Sequence, residues 1–537
     1  DGLPGVNILI VGRQQGTTSD QNGQYQLIVP DNGATLRFSF IGYVSQDAVV
    51  SSGSVINITM APDVSALKEV VVVGYGTQEK KDVTGAVSSV KGSDFQNLPS
   101  GGAQQALQGR AAGVNVIRNG GAPGDAGTIQ IRGFGTVNNA DPLVVIDGVP
   151  AGSMNDVNPN DIESIEILKD ASASAIYGTR AANGVVIITT KRGTFDHPIA
   201  VTVNGYAGIS NRIKTLDMLQ APDLAALKRE AYKNDGLPVP AIWEDAQYQT
   251  QKTNWQDALL KQGVTQNYDA AIRGGGKYSS FSISGGYYNE KGIIGKSYYK
   301  RYTFRVNSDH KIGSRLKIGQ NLQFTNTHNT APNTTSSQTG LLWSAIRFHP
   351  GLPIRNADGS YSSTKGIGAF GDINNPIFTV DTQDQNNIRN RILGSLTGEL
   401  EVLKGLKLRA NLAMDATFSE SNTFEVKIND QFRTNSYNQL DLTHGKYWSF
   451  LQEYFLSYDK KFGAHNLSLV GGYTSQTFNS ISSRQRGRDF ASEDPTLRYL
   501  QYAGTIVSVA GEDGNRSYDA LASWLGRAKY SILDRYL

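Results

Sequence analysis

The sequence has no cysteine, which excludes thiol catalysis, disulfide bridges and cysteine metal sites. Compartment stays open, since many envelope proteins manage without disulfides. It also lacks any run of about 18 apolar residues, so it is not a helical membrane protein. A membrane barrel is untouched by that absence, because barrel strands alternate lipid-facing and lumen-facing residues and never build a continuous apolar run. Neither sign of charge dominates: 51 Lys plus Arg against 48 Asp plus Glu leaves +3, and nothing in that balance argues for a nucleic-acid partner. No basic and apolar leader opens the chain, where Asp1 runs straight into Gly2-Leu3-Pro4-Gly5; the start reads as processed or truncated.

Catalytic constellations are missing too. The six histidines (His197, His310, His328, His349, His444, His465) include no pair at the i, i+4 spacing that sets two imidazoles on one helix face. Gly274-Gly275-Gly276-Lys277 is followed by Tyr278 where a phosphate loop needs Ser or Thr, so it reads as a turn between strands. There is no Gly-x-Ser-x-Gly elbow, and no carboxylate spacing fixes a general acid and base. An enzyme is disfavoured, and no cofactor or metal is expected.

What is present points to a turn-rich, mainly β protein of several domains: 537 residues with 58 Gly and 25 Tyr. Residues 1–62 alternate short β-rich runs (Val6 to Val11, Tyr25 to Val29, Leu36 to Phe40, Val55 to Met60) with turns, the pattern of a small antiparallel sandwich. Asp20, Asn22 and Gly23 mimic the start of a calcium loop, but the further oxygen ligands do not follow, and a plain turn is expected. Within the linker 63–81, Glu69-Val70-Val71-Val72-Val73-Gly74 has two readings: a buried strand, or an exposed edge that a partner pairs with by strand addition.

Residues 82–193 read as a compact α/β domain, with strands at Thr84 to Val90, Val114 to Ile117, Thr128 to Arg132, Pro142 to Asp147, Ile162 to Leu168 and Gly184 to Thr190, and short helices at Ala103 to Gly109 and Ala171 to Ile176. Beyond it, 194–537 changes to long alternating strands. In Tyr278 to Tyr288 the apolar Phe281, Ile283 and Tyr287 face away from Ser280, Ser282 and Ser284. The dyad recurs in Tyr302 to Asp309, Arg315 to Thr325, Leu406 to Asp415 and Asp519 to Ser531. About ten or eleven such strands, joined alternately by short turns (Gly274 to Gly276, Gly313-Ser314, Lys404-Gly405, Gly463-Ala464) and long insertions, carry the signature of a membrane barrel.

These segments resemble, in order, the SusC/RagA-like branch of TonB-dependent receptors. Leu3-Pro4-Gly5-Val6 and Asn22-Gly23-Gln24-Tyr25 look like its carboxypeptidase-regulatory-like domain, whose first strand is then expected before Asp1. Glu69, Val70, Val71, Val72, Val73 and Gly74 resemble its Ton box. Ala106 to Val114, Ile131-Arg132-Gly133, Pro142 to Pro150 (with Asp147 and Gly148), and Ile165 to Lys191 (with Glu166, Lys169, Tyr177 and Gly178) resemble its plug motifs.

The resemblance implies a plug inside a 22-stranded antiparallel transmembrane β-barrel, of which 194–537 is the first half, in a chain truncated at both ends. It further implies TonB-dependent import across the bacterial outer membrane, energised through TonB with ExbB and ExbD, beside a SusD-like surface lipoprotein. The cargo implied is an oligosaccharide or, alternatively, an oligopeptide; a signal-transducing receptor and a structural or adhesive barrel are the other readings. Arg132, Glu166 and Lys169 are expected either to hold the plug in the lumen or to form ion pairs inside it. Trp243, Trp255, Trp343 and Trp448 suit either stacking on sugars or an aromatic girdle in outer-membrane lipid. Substrate-binding residues are not assigned.

Overall fold

The structure is a computed structural model that describes residues 2–11, 15–29, 34–40, 43, 45–50, 55–60, 70–73, 76–79, 85–95, 101–118, 120–133, 135, 136, 140–330, 332–334, 336, 340–507 and 514–532. The chain divides into two units, residues 1–87 and 88–537.

In the first unit, β1 (Asn7–Ile10) lies between β2 (Gly16–Thr18) and β3 (Ala34–Ser39), and β3 also pairs with β4 (Gln46–Val50), all antiparallel. Alternation sets one face: Ile8 and Ile10 bury opposite Phe38 and Leu36. The expected strands over Tyr25 to Val29 and Val55 to Met60 form no ladder. Tyr25, Leu27, Val29, Ile56, Ile58 and Met60 still pack against the core, so the alternation reflects burial rather than strand pairing. Asp20 spends its Oδ1 on the backbone N–H groups of Asn22 (2.9 Å) and Gln24 (2.8 Å), an Asx-type turn with no cation needed. Further on, β5 (Val70–Val73) and β6 (Gly76–Glu79) form an antiparallel hairpin.

The second unit begins with the α/β domain. Its strands are β7 (Val87–Lys91), β8 (Val114–Ile117), β9 (Thr128–Ile131), β10 (Leu143–Ile146), β11 (Val149–Ala151), β12 (Ile162–Leu168) and β13 (Val185–Thr190). Five of them order as β11-β10-β13-β12-β7, and β8 pairs with β9 separately. The central pair, β10 and β13, is parallel, and its continuous apolar runs fit a strand buried on both faces. Between β10 and β11 the chain turns on Asp147 (φ 49°) and Gly148 (φ 84°), an Asp-Gly pair with both φ positive, as the twist of a two-residue hairpin demands.

Eleven strands follow in one antiparallel sheet: β14 (His197–Ser210), β15 (Gly263–Gly275), β16 (Ser279–Lys291), β17 (Tyr298–Ile312), β18 (Leu316–Thr330), β19 (Asp384–Leu403), β20 (Leu406–Glu425), β21 (Gln439–Phe462), β22 (His465–Arg488), the short β23 (Thr505–Val507) and β24 (Asn515–Ile532). Each sequence-read strand is present but longer than the alternation alone marked. Gly274 and Gly275 belong to β15, paired with Phe281 and Ser280, so the turn there shrinks to residues 276–278. One rim of the sheet carries links of two or three residues, and the other carries 211–262, 292–297, 331–383, 426–438 and 489–514.

The two faces differ as the dyad demands. Ile272, Ile283, Phe304, Leu322, Phe324, Leu412 and Leu456 stand exposed on one face, with a row of Tyr268, Tyr287 and Tyr302 in ring contact across β15 to β17. Such an apolar, aromatic-edged exterior suits lipid. On the other face Ser282, Arg305, Asn307, Gln323, Arg391 and Glu453 are buried, because the α/β domain lies against them.

At the long-link rim, 211–262 and 340–383 build a helical lobe around Trp243, Trp255, Phe348 and Phe370. Trp243 and Trp255 are thus lobe core, 2% and 3% exposed. Trp448 lies within β21, not in a loop, while Trp343 is exposed on the helix Leu341–Arg347.

Candidate functional site

The chemistry of the molecule concentrates where the α/β domain meets the polar face of the sheet. Apolar packing comes first: Val149, Met154, Ile165 and Ile188 share a core with Leu393, Ala413 and Leu451 from β19, β20 and β21. Around that contact runs a chain of buried charges. Asp147, thrown outward by its hairpin turn, takes Arg305 Nη1 at 2.9 Å, with both side chains 4% exposed or less. The same carboxylate accepts the Thr190 amide (2.9 Å) and hydroxyl (2.6 Å), so the turn, the end of β13 and β17 are fixed together.

Gln323 links this pair to a second one, accepting from Arg305 and donating to the Asp156 carbonyl at 2.8 Å. Asp156 is fully buried and is held by Arg389 and, at 2.6 Å, by Arg391. Arg391 in turn forks onto Asp415 of β20 through Nε (2.8 Å) and Nη2 (2.7 Å). Three carboxylates (Asp147, Asp156, Asp415) therefore meet three guanidiniums (Arg305, Arg389, Arg391), a neutral set whose low-dielectric setting makes each pair expensive to break.

Further contacts surround the cluster. Arg301 donates to the carbonyls of Gly101 and Asn155, both at 2.6 Å. Arg192 pairs with Asp309 at 2.9 Å, and Arg180 reaches Gln476 on β22 at 2.5 Å. Burial pushes the Asp161 carboxyl up, against the pull of Arg305 and a Ser284 hydrogen bond. Among the described residues no group of three or more His, Asp or Glu side chains is arranged to hold a metal.

The sequence-selected residues take distinct places. Asp147 with Gly148 is central to the interface. Lys169 works inside the domain, donating to Ser88 Oγ (2.7 Å) and the Ala112 carbonyl (3.0 Å), which ties β12 to β7. Glu166 is buried on β12. Arg132 is exposed at φ 58°, before Gly133 at φ 87°, with its backbone N–H on the Gly113 carbonyl at 2.9 Å. Tyr177 is buried, and burial raises its hydroxyl's pKa. Gly178, at φ 68° and ψ −156°, breaks the helical run in a conformation essentially reserved for glycine. Of the Val-rich segment, Val70–Val73 is strand, whereas Glu69 and Gly74 lie outside the described residues.

Asp156 and its arginine partners were not selected from the sequence. One signal was available: Arg301, Arg305, Arg389 and Arg391 all fall on the polar side of the strand alternation, and arginines on an enclosed face require carboxylates opposite them.

Comparison with known proteins places these parts. Residues 79–185 match the TonB-dependent Receptor Plug Domain, and residues 1–72 match the CarboxypepD_reg-like domain. The whole chain is 36% identical to TonB-dependent receptor P3 of Formosa agariphila, covering 52% of it. Against TonB-dependent receptor SusC of Bacteroides thetaiotaomicron it is 30% identical over 99% of this chain and 54% of that protein. The chain thus spans about half the length of the curated relatives it matches. The RagAB peptide importer in its open-open state is similar in fold, with a TM-score of 0.72 and 23% identity over 86% of this chain and 55% of that one.

Proposed function

The chain belongs to the SusC/RagA-like TonB-dependent receptors, a family of outer-membrane β-barrel proteins, and from that premise we propose that the receptor containing it actively imports oligosaccharides, the products of glycan breakdown. The single observation that carries the proposal is the buried clamp between the plug and the barrel wall. Moving the plug off the wall parts Asp147 from Arg305 and Asp156 from Arg391, and a buried charge left without its partner costs about 3–5 kcal/mol. Work must be delivered to the plug.

In this reading the long-link rim faces the outside, and TonB, driven by ExbB and ExbD, grips Glu69 to Gly74 by strand addition and pulls from the periplasm. Arg132, Gly133, Asp147, Gly148, Glu166, Lys169, Tyr177 and Gly178 then shape a plug that yields without unfolding entirely. A SusD-like lipoprotein covers the outer mouth. What favours an oligosaccharide over an oligopeptide is the wall beyond the plug, where the hydroxyls of Ser419, Ser421, Thr423, Thr443, Ser480 and Ser482 share the inner face of β20 to β22 with charged side chains.

The test is a deletion of Glu69 to Gly74 in the full-length receptor. Uptake of a labelled oligosaccharide is expected to cease while surface binding persists. Unchanged uptake sinks the importer reading, and uptake of labelled peptide alone replaces the cargo.

A further inference from the structure

Strands β19 to β22 run 20, 20, 24 and 24 residues, about twice the 9–11 that a tilted crossing needs. Their far ends therefore project beyond the crossing at the long-link rim, where Phe424 and Leu440 pack against Phe490. The antiparallel registers of β20 to β22 show no shift, so the alternation that buries Ser449 and Glu453 against the plug continues outward. It puts Thr443, Asp441 and Gln439 on the lumen side, opposite Arg484, Arg486 and Arg488. Three guanidiniums thus stand on one face of one strand, about 7 Å apart.

Each is oriented from its inner end. Asp441 Oδ1 accepts from Nε of Arg484 (3.1 Å) and of Arg486 (2.7 Å). Gln439 Oε1 accepts Nε of Arg488 (2.8 Å), whose guanidinium also lies over the Tyr437 ring at 4.0 Å. Gln439 Nε2 completes the scaffold with a 2.7 Å bond to Asp441 Oδ2. Among the described residues, Arg486 and Arg488 make no hydrogen bond through their Nη atoms, so each holds a planar pair of donors toward the lumen. Glu425 is the other acid on these rows, two strands from Arg488, about 10 Å by strand spacing. Ser421, Thr423, Tyr447 and Ser482 fill the neighbouring positions.

We propose that this ladder is a subsite for the anionic groups of an acidic oligosaccharide, carboxylates of uronic acids or sulfate esters, with the surrounding hydroxyls and amides taking the sugar hydroxyls. A guanidinium fixed at Nε presents its Nη pair as a fork that matches either oxyanion bidentately. The inference rests on the import reading and adds the charge of the cargo.

The test uses the full-length receptor and equilibrium binding, which does not depend on TonB. One arm compares a tetrasaccharide of uronic acids with its carboxyl-reduced form; a second compares a sulfated oligosaccharide with its desulfated form. In at least one arm the charged ligand is expected to bind about tenfold tighter or more, and that arm identifies the oxyanion. Arg486→Gln with Arg488→Gln is expected to erase the preference, and Arg486→Lys, which keeps the charge and loses the fork, to retain part of it. Equal affinity for charged and neutral forms in both arms overturns the subsite even if the variants fail to fold, since the comparison needs only the natural receptor. An acidic peptide binding better than either sugar overturns the sugar class. Failure of the import reading appears elsewhere, as uptake that survives loss of Glu69 to Gly74 while the charge preference stays intact.

Discussion

Asp147 does two jobs that its sequence position alone makes compatible. Its place before Gly148 gives the hairpin a residue that tolerates positive φ, and the resulting projection puts its carboxylate on Arg305. Asp147→Asn in the full-length receptor keeps the turn but strands a buried guanidinium, and the plug should loosen by about 3–5 kcal/mol. Hydrogen exchange along β10 and β13 is the measurement, with adding Arg305→Gln expected to restore part of the protection; unchanged exchange in the single variant removes the pair from the clamp. His349 offers a titratable counterpart in the lobe. Its ring stacks on Phe370 with centroids 3.8 Å apart, and its Nδ1 accepts the Gly351 N–H at 3.0 Å. Burial pulls its pKa down to about 4, so between pH 6.5 and 4 an unfolded lobe binds a proton that the folded lobe refuses. Lobe stability is then intact above pH 6.5 and declines as pH falls toward 4, by on the order of 3 kcal/mol at most. Trp243 and Trp255 fluorescence should report the loss, and His349→Phe should flatten the pH dependence. Asp147 was legible because a motif surrounds it. Asp156 was not: its loop, Ser153-Met154-Asn155-Asp156-Val157, has no period, and its importance exists only once β19 brings Arg389 and Arg391 to it.

At the scale of elements, legibility followed periodicity. The barrel strands announced themselves because each side chain alternates between lipid and a polar interior, and that pattern is local. Their outer ends did not always do so, since past the membrane both faces can become polar while the ladder continues, as over residues 482–488 of β22. The opposite error occurred at Tyr25 to Val29 and Val55 to Met60, where alternating burial exists without a hydrogen-bonded partner. The Val-rich segment shows a further limit: a short apolar run fits a core strand and a docking edge equally well. In the structure Val70–Val73 pairs only with Gly76–Glu79 among the described strands, and a two-stranded hairpin is marginal in water. Such a hairpin is suited to exchange its local partner for a stronger one. Val72→Pro, which deletes one backbone donor and fixes φ, should cut uptake about tenfold while surface binding of cargo holds. Cross-linking to TonB measures the step directly, and full cross-linking in the variant would count against strand addition at this position.

The whole molecule is governed by the two outer strands of its large sheet. Among the described residues β14 pairs only with β15 and β24 only with β22, and β14 exposes Ile199, Val201 and Val203 while its polar-side neighbours are exposed too. Interior strands such as β17 instead bury every second residue. A strand that is wet on both faces and unpaired along one edge has no stable place in hydrocarbon, where each unsatisfied backbone group costs several kcal/mol. Along the 14 residues of β14, roughly half of the backbone groups point to that edge, so the penalty exceeds the entire stability of an ordinary domain. Closure of the sheet therefore decides whether the clamp, the lobe and the arginine ladder act together, because the plug is held on one side by β15 to β22 and the opposite side of the lumen must be supplied. These 537 residues refolded alone in detergent should migrate identically before and after boiling, without the compact, heat-sensitive band of a closed barrel, and β14 should be open to protease. Extension by further antiparallel strands that join β24 to β14 should create that band and protect β14 together. A heat-sensitive monomer from these residues alone would mean that β14 and β24 pair with each other, and the lumen would then be too narrow for the plug contacts described above.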